Sequence, residues 1–313
     1  MPALDILCLG EPLAELNETE PGRFTLGCGG DVSNVAIAAA RLGARSGVLG
    51  AIGDDAFGEA LTALWDAEGV DRTYMSRDRD APTGIYFVTH GPDGHRFSYR
   101  RAGSAASLVG PDRIAAEAIA ATRILHASGI SQAISTTAAD GVFAALAKAR
   151  DAGVVVSYDT NLRLKLWPLA RARATIREAL TLTDLALPGL DDAALLFGVE
   201  DPDAICDAIL ALGPKVVALT LGAHGCLVAT PERRERIAAH PVQAVDATGA
   251  GDAFDGAFLT SYLDGRDPFA AARRANVSAA LSTRGYGAIP PLPRRAELDA
   301  EITREGASQL TAG

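Results

Sequence analysis

Short apolar runs alternate with amphipathic segments along most of the chain, and this pattern predicts its secondary structure. The alternation is strictest after residue 112, where each apolar run is followed by a segment with helical spacing. The elements predicted there are helix 112–122, strand 123–128, helix 135–151, strand 154–159, helix 168–181, strand 185–188, helices 191–197 and 201–212, strand 215–222, strand 226–230 and helices starting near Ala250 and over 268–283. This order predicts an α/β fold with a doubly wound, mostly parallel sheet flanked by helices.

The first hundred residues show the same alternation, interrupted by two β-rich segments. The regular elements are strand 5–10, helix 34–42 ending before Gly43, strand 46–53 and helix 57–68 ending at Gly69. Residues 11–30 and 83–101 contain shorter apolar pieces broken by turn residues, and the second segment includes strands 83–88 and 95–100 around the turn 91–94. We expect the two segments to pair as a small β lid that emerges from the larger sheet.

Net charge and composition disfavour some classes of binding partner. The 29 basic and 39 acidic residues give a net charge of −10, which disfavours nucleic acids and anionic membranes as partners. No apolar run reaches the ~18 residues of a membrane span, and the first residues lack a basic, apolar leader, so we expect a cytoplasmic protein. The four cysteines and five histidines lack the spacing of metal ligands, and we predict no metal site built from them.

The strongest chemical signal is the segment 246–252, which reads D-A-T-G-A-G-D. Gly249, Ala250 and Gly251 have little or no side chain, so their N–H groups can approach an anion at the start of the following helix. Phosphate would repel an acid at this place, so the presence of Asp252 needs a reason. The role of a general base, which accepts a hydroxyl proton during phosphoryl transfer, supplies one. An ordinary helix start with a glycine turn remains the alternative.

A second signal follows the apolar strand 215–222, where Thr220, Gly222 and Gly225 form T-x-G-x-x-G. Ligands bind at the carboxyl edge of parallel sheets, and this motif lies at such an edge. It is neither the dinucleotide-binding fingerprint nor a Walker A sequence. By itself, the motif therefore indicates a binding edge without naming the ligand.

Polar clusters follow two other predicted strands or turns. The first, 29–34, reads G-G-D-V-S-N and predicts either a small polar pocket or a turn with Asp31 or Ser33 as helix cap. The second, 158–163, reads Y-D-T-N-L-R and predicts either a ligand site or an ion pair that braces the loop.

Aromatic and basic residues occur together on the second β-rich segment. Tyr99 and Arg101 are two positions apart and therefore project from the same face of a strand, and Tyr86 lies on the preceding strand. A tyrosine and an arginine on one face suit an anionic, hydroxylated small molecule. A solvated basic strand is the alternative.

In their order along the chain, G-G-D-x-S-N, Y-x-R-x-G-S-A, D-x-N-x-R, T-x-G-x-x-G and G-A-G-D resemble the motifs of the ribokinase-like (PfkB) family of sugar kinases. The resemblance extends from residue 5 to about 290. It implies one ribokinase-like kinase domain over 1–313, with the β lid inserted from about 11–30 and 83–101. It also implies ATP, Mg²⁺ and transfer of the γ-phosphoryl group to a sugar hydroxyl, and it leaves a monovalent cation open.

The same resemblance implies a role for each motif residue. Asp252 would be the catalytic base, and Gly249, Ala250 and Gly251 would form the anion hole. The implied ATP-binding residues are Asn161, Thr220, Gly222, Gly225, Gly249, Gly251 and Asn276, the last near adenine. The implied sugar-binding residues are Gly30, Asp31, Asn34, Tyr86, Tyr99, Arg101, Arg163 and Asp252.

Within the family, the sequence is most similar to 2-keto-3-deoxygluconate kinases, which carry the lid tyrosine, Y-x-R-x-G-S-A and D-x-N-x-R. That substrate is a carboxylate, and two arginines near the sugar suit a carboxylate better than neutral fructose or ribose. The function expected is phosphorylation of 2-keto-3-deoxygluconate to its 6-phosphate. A fructokinase or another sugar or nucleoside kinase of the family is the alternative, and a non-catalytic sugar sensor is the alternative of another class.

Several positions depart from the family pattern. Val32 and Ala247 replace the residues usual in the two signatures, and Gly189 and Asp192 stand where many members have Asn-x-x-Glu for the Mg²⁺–phosphate network. Tyr286 stands where some keto-deoxygluconate kinases have an acid. The expected partners are ATP and a sugar acid or sugar, and an exposed lid edge leaves a homo-oligomer open.

Overall fold

The structure is a computed structural model that describes residues 3–91 and 94–311, with the backbone alone for 94–95 and 305–311. Its strands are β1 (Leu4–Leu9), β2 (Leu13–Glu20), β3 (Arg23–Gly29), β4 (Ser46–Gly53), β5 (Asp71–Asp78), β6 (Gly84–Gly91), β7 (Gly94–Arg100), β8 (Thr122–Ser128), β9 (Val155–Asp159), β10 (Leu185–Ala186), β11 (Val216–Thr220), β12 (Cys226–Ala229) and β13 (Arg234–Ile237). Its helices are α1 (Asp31–Arg41), α2 (Ala56–Glu68), α3 (Ala116–Ala120), α4 (Gly129–Ala133), α5 (Thr136–Asp151), α6 (Leu169–Thr181), α7 (Leu190–Phe197), α8 (Pro202–Leu210), α9 (Ala250–Gly265), α10 (Pro268–Ser282) and α11 (Arg295–Thr311).

In the described part of the chain, nine strands form the main sheet in the order β13-β12-β11-β10-β9-β8-β1-β4-β5. Neighbours from β11 to β5 pair in parallel, whereas β12 pairs antiparallel with both β11 and β13. The predicted mostly parallel sheet is therefore confirmed. Parallel pairing places the ends of β1, β8, β9 and β11 at one edge, where the loops carry the polar motifs.

Helices cover both faces of the main sheet and divide the apolar core into two layers. Residues of α1, α2, α9 and α10 pack on one face, with Trp65, Phe254 and Phe258 as the largest buried side chains. Residues of α5, α6, α7 and α8 pack on the other face around Tyr158. The low aromatic content explains why Ala, Val, Leu and Ile fill most of both layers.

A small sheet of four described strands, in the order β3-β2-β6-β7, lies beside the carboxyl edge of the main sheet. The β2–β3 and β6–β7 pairs are antiparallel, and β2 pairs in parallel with β6. The two β-rich segments therefore pair with each other as predicted. Part of the predicted turn 91–94, namely residues 92 and 93, lies outside the described residues.

The short helix α4 and three further elements escaped the sequence pattern, and two of those three are edges of the main sheet. The strands β5 and β13 read D-R-T-Y-M-S-R-D and R-E-R-I, which is too charged for a pattern based on apolar runs. Charged edge strands are expected physically, because charge discourages pairing with another chain. The third element, α11, follows the last helix that we predicted.

Two predicted boundaries were wrong. Helix 112–122 is a 3₁₀ turn at Pro111–Arg113 followed by the short helix α3, and Thr122 already begins β8. Helix α1 begins at Asp31, three residues before Asn34, because Gly30 ends the preceding turn with φ 101° and allows the chain to enter the helix directly.

The two ends of α2 carry residues of the types that favour helix caps. Gly69 ends α2 in the left-handed region with φ 70°, as expected of a glycine C-cap. At the other end of α2, the Asp55 carboxylate accepts the N–H groups of Phe57 and Gly58. Within the described residues, no helix is both long and apolar enough to cross a membrane.

Candidate active site

A cavity of about 600 Å³ lies at the carboxyl edge of the main sheet, under the small sheet. We call it the first cavity. It is lined by Gly30, Asp31 and Asn34 from the start of α1, Tyr86, Tyr99 and Arg101 from the small sheet, Asn161 and Arg163 after β9, and Gly249, Gly251 and Asp252 at the start of α9. The fold thus gathers every predicted sugar-binding residue in one place.

Asp252 lies in the first turn of α9 and is held by Asn34, whose Nδ2 donates a hydrogen bond of 2.7 Å to Oδ2. Burial, reinforced by the negative charge of Asp31, raises the pKa of Asp252 to about 7, while Asn34 and Arg163 oppose the rise. A carboxylate with this pKa is substantially deprotonated near neutral pH and still basic enough to accept a proton. The environment of Asp252 therefore suits a general base.

Asp31 and Asn34 provide hydrogen-bond acceptors inside the cavity. Asp31 Oδ2 accepts from Ser128 Oγ and, at 3.2 Å, from Asn161 Nδ2. The second carboxylate oxygen of Asp31, Oδ1, and the amide oxygen of Asn34, Oδ1, are buried without a hydrogen-bond partner among the described residues. Buried acceptors of this kind are costly unless a ligand satisfies them, so this end of the cavity suits a polyhydroxylated molecule.

The alternative interpretation of the 29–34 motif, a helix cap by Asp31 or Ser33, does not match the structure. The cap position of α1 is Gly30, and Asp31 is the first helical residue. The Ser33 hydroxyl is buried and accepts a hydrogen bond of 2.9 Å from Trp65 Nε1. Ser33 therefore ties α1 to α2 and is not part of the cavity.

The loop before α9 has the open backbone that the sequence predicted, with one correction. Gly249 is the cap residue with φ 75°, and at Gly251 an added Cβ would meet no atom within 4 Å among residues 3–91 and 94–311. However, the Ala250 N–H already donates to the Ala247 carbonyl at 3.1 Å. Ala250 therefore shapes the turn, and in this arrangement its N–H is not available to an anion.

A second cavity of about 560 Å³ lies on the other side of this loop. Thr220, Gly222 and Gly225 line it from the end of β11, and Asn276 lines it from α10. Gly225 has φ 88°, and a Cβ there would lie 2.0 Å from the Ile237 carbonyl oxygen, so only glycine fits. The predicted nucleotide motif therefore lies beside a space large enough for a ligand.

The two cavities meet at the loop before α9, because Ala247 and Gly251 line both of them. Asp252 follows directly and lines the first cavity. A ligand in each cavity would therefore have its reacting end at the same helix N-terminus, where a negative charge is stabilised. This is the arrangement that transfer of a phosphoryl group between two bound molecules requires.

Asn161, which we expected on the ATP side, lies in the first cavity instead. Its side chain donates to Asp31, and its backbone N–H donates to Asp159 Oδ1 at 3.0 Å. The backbone of Asn161 has φ 28°, a conformation that asparagine tolerates better than most residues. The structure therefore separates Asn161 from Thr220, Gly222, Gly225 and Asn276, which line the second cavity.

Asn276 lines the second cavity but is already engaged with the backbone. Its Nδ2 donates to the carbonyl oxygens of Ile237 and Ala238 at 3.3 Å and 3.2 Å. The side chain thus fixes the segment after β13 against α10. Its Oδ1 is the atom left to contact a ligand from this position.

A buried acid between β1 and β2, Glu11, pairs with Arg101. Glu11, only 1% exposed, accepts from Arg101 Nε at 2.6 Å and from Ser104 Oγ at 2.5 Å. The Arg101 guanidinium also lies 5.6 Å from the centre of the Tyr99 ring. The charge of Arg101 is therefore balanced within the cavity wall.

Sequence reasoning missed Glu11, although an acid directly after the buried strand β1 was a usable signal. It is the first polar residue at the carboxyl end of a central parallel strand, the place where ligands bind. Because the predicted β-rich segment begins at residue 11, the sequence pattern groups Glu11 with the small sheet and not with the site.

The tyrosines of the small sheet form one wall of the first cavity. The Tyr86 and Tyr99 rings stack with their centres 6.0 Å apart, and the Tyr86 hydroxyl donates to Glu15. Burial beside Glu15 raises the pKa of Tyr86 above its usual range, so this phenol stays protonated. The tyrosines thus offer an aromatic face to a bound molecule.

Arg163 is the more available cation of the first cavity. Its side chain is 52% exposed and lies 3.7 Å from Asp192 Oδ2, while Nη1 donates to its neighbour's carbonyl at 2.9 Å. Asp192 also accepts the Leu162 N–H at 2.8 Å and so braces the loop. Lys165, which the sequence analysis did not single out, lines the same cavity. The braced loop is therefore confirmed, and the ligand site at 158–163 stays a prediction, with Asn161 and Arg163 in the lining of the cavity.

Comparisons with known proteins agree with this geometry. Residues 4–295 match the model of the "pfkB family carbohydrate kinase". The chain is 36% identical to the 2-dehydro-3-deoxygluconokinase of Thermoproteus tenax, over 94% of this chain and 93% of that protein. It is 32% identical to the enzyme of the same name from Bacillus subtilis, over 94% of each, and 33% identical to fructokinase-2 of Solanum habrochaites, over 93% and 94%.

Solved structures have the same fold. A PfkB protein of Polaromonas sp. JS666 superimposes with a TM-score of 0.88 at 33% identity, covering 95% of this chain and all of that one. A protein from E. coli in complex with ATP and Mg²⁺ and a fructokinase of Xylella fastidiosa with bound ATP each have a TM-score of 0.89 at 26% identity, covering 96% and 99%. The chain belongs to the pfkB family of carbohydrate kinases.

Proposed function

We propose that this kinase phosphorylates 2-keto-3-deoxygluconate to its 6-phosphate. The observation that carries the proposal is the presence of Arg163 and Lys165 in the same cavity as Asp252, in addition to the compensated Arg101. A sugar acid brings one negative charge, which the charged ends of Arg163 and Lys165 would bind. The similarity to two 2-dehydro-3-deoxygluconokinases supports this choice, and the comparable similarity to fructokinases leaves it a proposal.

In this proposal, each cavity holds one substrate. The sugar acid occupies the first cavity, with hydroxyl groups donating to Asp31 Oδ1 and Asn34 Oδ1 and with its carboxylate toward Arg163. ATP occupies the second cavity along Thr220, Gly222 and Gly225, with its phosphates toward Gly251. A Mg²⁺ ion bound to these phosphates would reduce their negative charge.

The chemistry then follows from the position of Asp252. Its carboxylate accepts the proton of the sugar 6-hydroxyl while that oxygen attacks the γ-phosphorus of ATP. A new oxygen–phosphorus bond forms as the bond to the β,γ-bridging oxygen breaks, and ADP leaves. The N-terminus of α9, with Gly249 and Gly251, stabilises the charge of the transferring group.

A fructokinase is the second candidate, and one observation favours it. Because Glu11 balances Arg101, the inner part of the first cavity is less cationic than the sequence alone suggested. A neutral sugar would then need only the acceptors of Asp31 and Asn34. The two candidates differ in whether binding uses the charge of Arg163.

The experiment is to measure ADP release with ATP and Mg²⁺ across 2-keto-3-deoxygluconate, fructose, ribose and adenosine, in the wild type and in Arg163→Ala. If the proposal is right, the wild type prefers the sugar acid. Loss of a charge-assisted hydrogen bond then raises its KM about 10–150-fold in the variant, with little change for a neutral sugar. Arg171→Ala, an exposed arginine on α6 outside both cavities, is the control.

Two outcomes would overturn the proposal. If the wild type prefers fructose, the substrate is neutral and only the family-level activity remains. If Arg163→Ala weakens acid and neutral sugars equally, Arg163 braces the loop through Asp192 and does not recognise the carboxylate.

A further inference from the structure

A loop near the carboxyl end of the chain, residues 283–292, packs directly behind the loop that precedes α9. We call it the closing loop. The N–H groups of Val245 and Asp246 donate to the Thr283 carbonyl at 2.7 Å and 3.1 Å. In return, the Gly287 N–H donates to Asp246 Oδ2 at 2.9 Å. The two loops are therefore joined through both the backbone N–H and the side-chain carboxylate of Asp246.

The closing loop also touches the cap residue of α9. A Cβ added to Gly249 would lie 2.8 Å from Ala288 Cβ and 2.9 Å from its Cα, which shows how closely the two backbones approach. Ala288 itself lines the first cavity. A shift of the closing loop would therefore move Gly249 and, with it, the start of the helix that carries Asp252.

Arg41, the last residue of α1, holds the far side of the closing loop. Its Nη1 donates to the carbonyl oxygens of Ile289 at 2.9 Å and Leu292 at 2.7 Å. Its Nε and Nη2 donate to the two oxygens of Glu68 on α2 at 2.9 Å and 2.7 Å. The side chains of Arg41 and Glu68 are only 9% and 10% exposed, so this is a buried bidentate pair that also grips the backbone.

Helix α1 connects these contacts of Arg41 to the part of the first cavity that we assign to the sugar. Asp31 and Asn34 lie in its first turns, and Arg41 is at its other end. We propose that Arg41 is a positioning residue for phosphoryl transfer, which holds the closing loop and thereby keeps Gly249 and Asp252 aligned with the groups that α1 presents to the sugar. The proposal rests on the kinase activity and is independent of which sugar is the substrate.

The test uses Arg41→Lys, measured with whichever sugar the wild type phosphorylates. Lysine keeps a positive charge opposite Glu68, but its single ammonium cannot also bridge two carbonyl groups in the planar arrangement of a guanidinium. We expect kcat to fall about 10–100-fold, because small misplacements of reacting groups have effects of this size. The KM for the sugar and the Kd for ATP, measured by calorimetry, should change less than about threefold, since no residue that lines either cavity has been replaced.

Two further variants separate positioning from stability. Glu68→Gln leaves the bonds from Arg41 to the closing loop in place, so it should lower Tm while kcat stays near the wild-type value. Arg45→Lys replaces a neighbouring arginine that pairs with Asp5 away from the closing loop, and it should change neither kcat nor KM. If Glu68→Gln loses as much kcat as Arg41→Lys, or if Arg41→Lys keeps the wild-type kcat, the proposal is wrong.

Should Arg41→Lys fail to fold, Ala288→Gly tests the same contact. It removes the methyl group that lies against Gly249 and leaves every bond of Arg41 intact. We expect kcat to fall with Tm nearly unchanged. A wild-type kcat in Ala288→Gly would show that the closing loop does not position Gly249.

Discussion

Asp252 combines two properties at the scale of a single residue. It is held in place by Asn34, and burial raises its pKa to about 7. A base of this kind works only when deprotonated. Its protonation should therefore limit the reaction on the acid side.

Our first prediction concerns this base. Asp252→Asn keeps the size of the side chain and an oxygen that can accept from Asn34, but it cannot accept a proton. We expect kcat to fall about 10²–10⁴-fold, as is typical when a general base is removed, while ATP binding measured by calorimetry is retained. The wild-type kcat should rise with pH and level off above about 7, and the residual activity of the variant should lack this rise.

The control for this prediction is Asp264→Asn, because Asp264 is an exposed acid on the same helix, α9. It should leave both kcat and the pH profile unchanged. A near-normal turnover in Asp252→Asn, or the same pH profile in that variant, would remove Asp252 from the role of base.

At the scale of an element, the start of α9 contains two glycines that serve different purposes. Position 249 requires glycine for its backbone conformation, because its φ is 75° and Ala288 lies against it. Gly251 has an ordinary helical conformation and open space around it, where the two cavities meet. The same substitution at the two positions should therefore separate folding from catalysis.

Gly249→Ala should lower Tm by about 2 °C or more, since a left-handed alanine costs about 1–2 kcal/mol before the contact with Ala288 is counted. Gly251→Ala should keep or slightly raise Tm, because alanine favours the helix by up to about 1 kcal/mol. Its methyl group enters the space between the substrates, so kcat should fall by about tenfold or more. A fully active Gly251→Ala would show that the phosphates do not pass this residue.

At the scale of the whole molecule, the main sheet and α9 enclose several acids with few cations. Asp255, one turn beyond Asp252, is buried, and its Oδ2 has no hydrogen-bond partner in the described part of the chain. The nearby His126 is also buried, which lowers its pKa to about 3, so it is neutral and does not balance the charge. Burial raises the pKa of Asp255 well above its usual range, and the charge of Asp159 adds to the effect.

This burial predicts a pH-dependent gain in stability for Asp255→Asn. The folded wild type holds a proton that the unfolded chain releases, so the stability it contributes is full below the unfolded pKa of about 4 and is lost as pH rises through the folded pKa. Asparagine cannot ionise. The Tm of Asp255→Asn relative to the wild type, measured by calorimetry, should therefore increase as the pH rises above the unfolded pKa of about 4.

Asp5→Asn is the matched control because its sign is opposite. Hydrogen bonds from Arg45 lower the pKa of Asp5 to about 2, so the stability from this carboxylate is present above its unfolded pKa and is lost only as pH falls toward 2. Asp5→Asn should be less stable than the wild type throughout the neutral range. If the difference in Tm between Asp255→Asn and the wild type does not change with pH, the pKa of Asp255 is not raised by burial and this prediction is wrong.

The sequence by itself determined the fold class, the pairing of the two β-rich segments and the edge of the main sheet at which the polar motifs lie. The reason is physical: periodicity reports which face of an element is buried, and parallel strands bring the residues after their carboxyl ends to one edge. Four motifs after strands or at helix starts therefore pointed to one region, and the fifth lies on strands of the small sheet. Edge strands β5 and β13 escaped because they need no apolar pattern on an exposed edge.

Only the tertiary structure decided which of the two cavities each residue lines and which charged side chains are already paired with an opposite charge. Glu11 and Arg101 are 90 positions apart, and Arg41 and Ile289 are 248 apart, so neither contact leaves a local pattern in the sequence. The placement of Asn161 beside Asp31 depends likewise on where β9 lies relative to α1. Such contacts arise when elements that are distant in the sequence pack together. Their energies depend on how deeply this packing buries the side chains, which no single segment of the sequence determines.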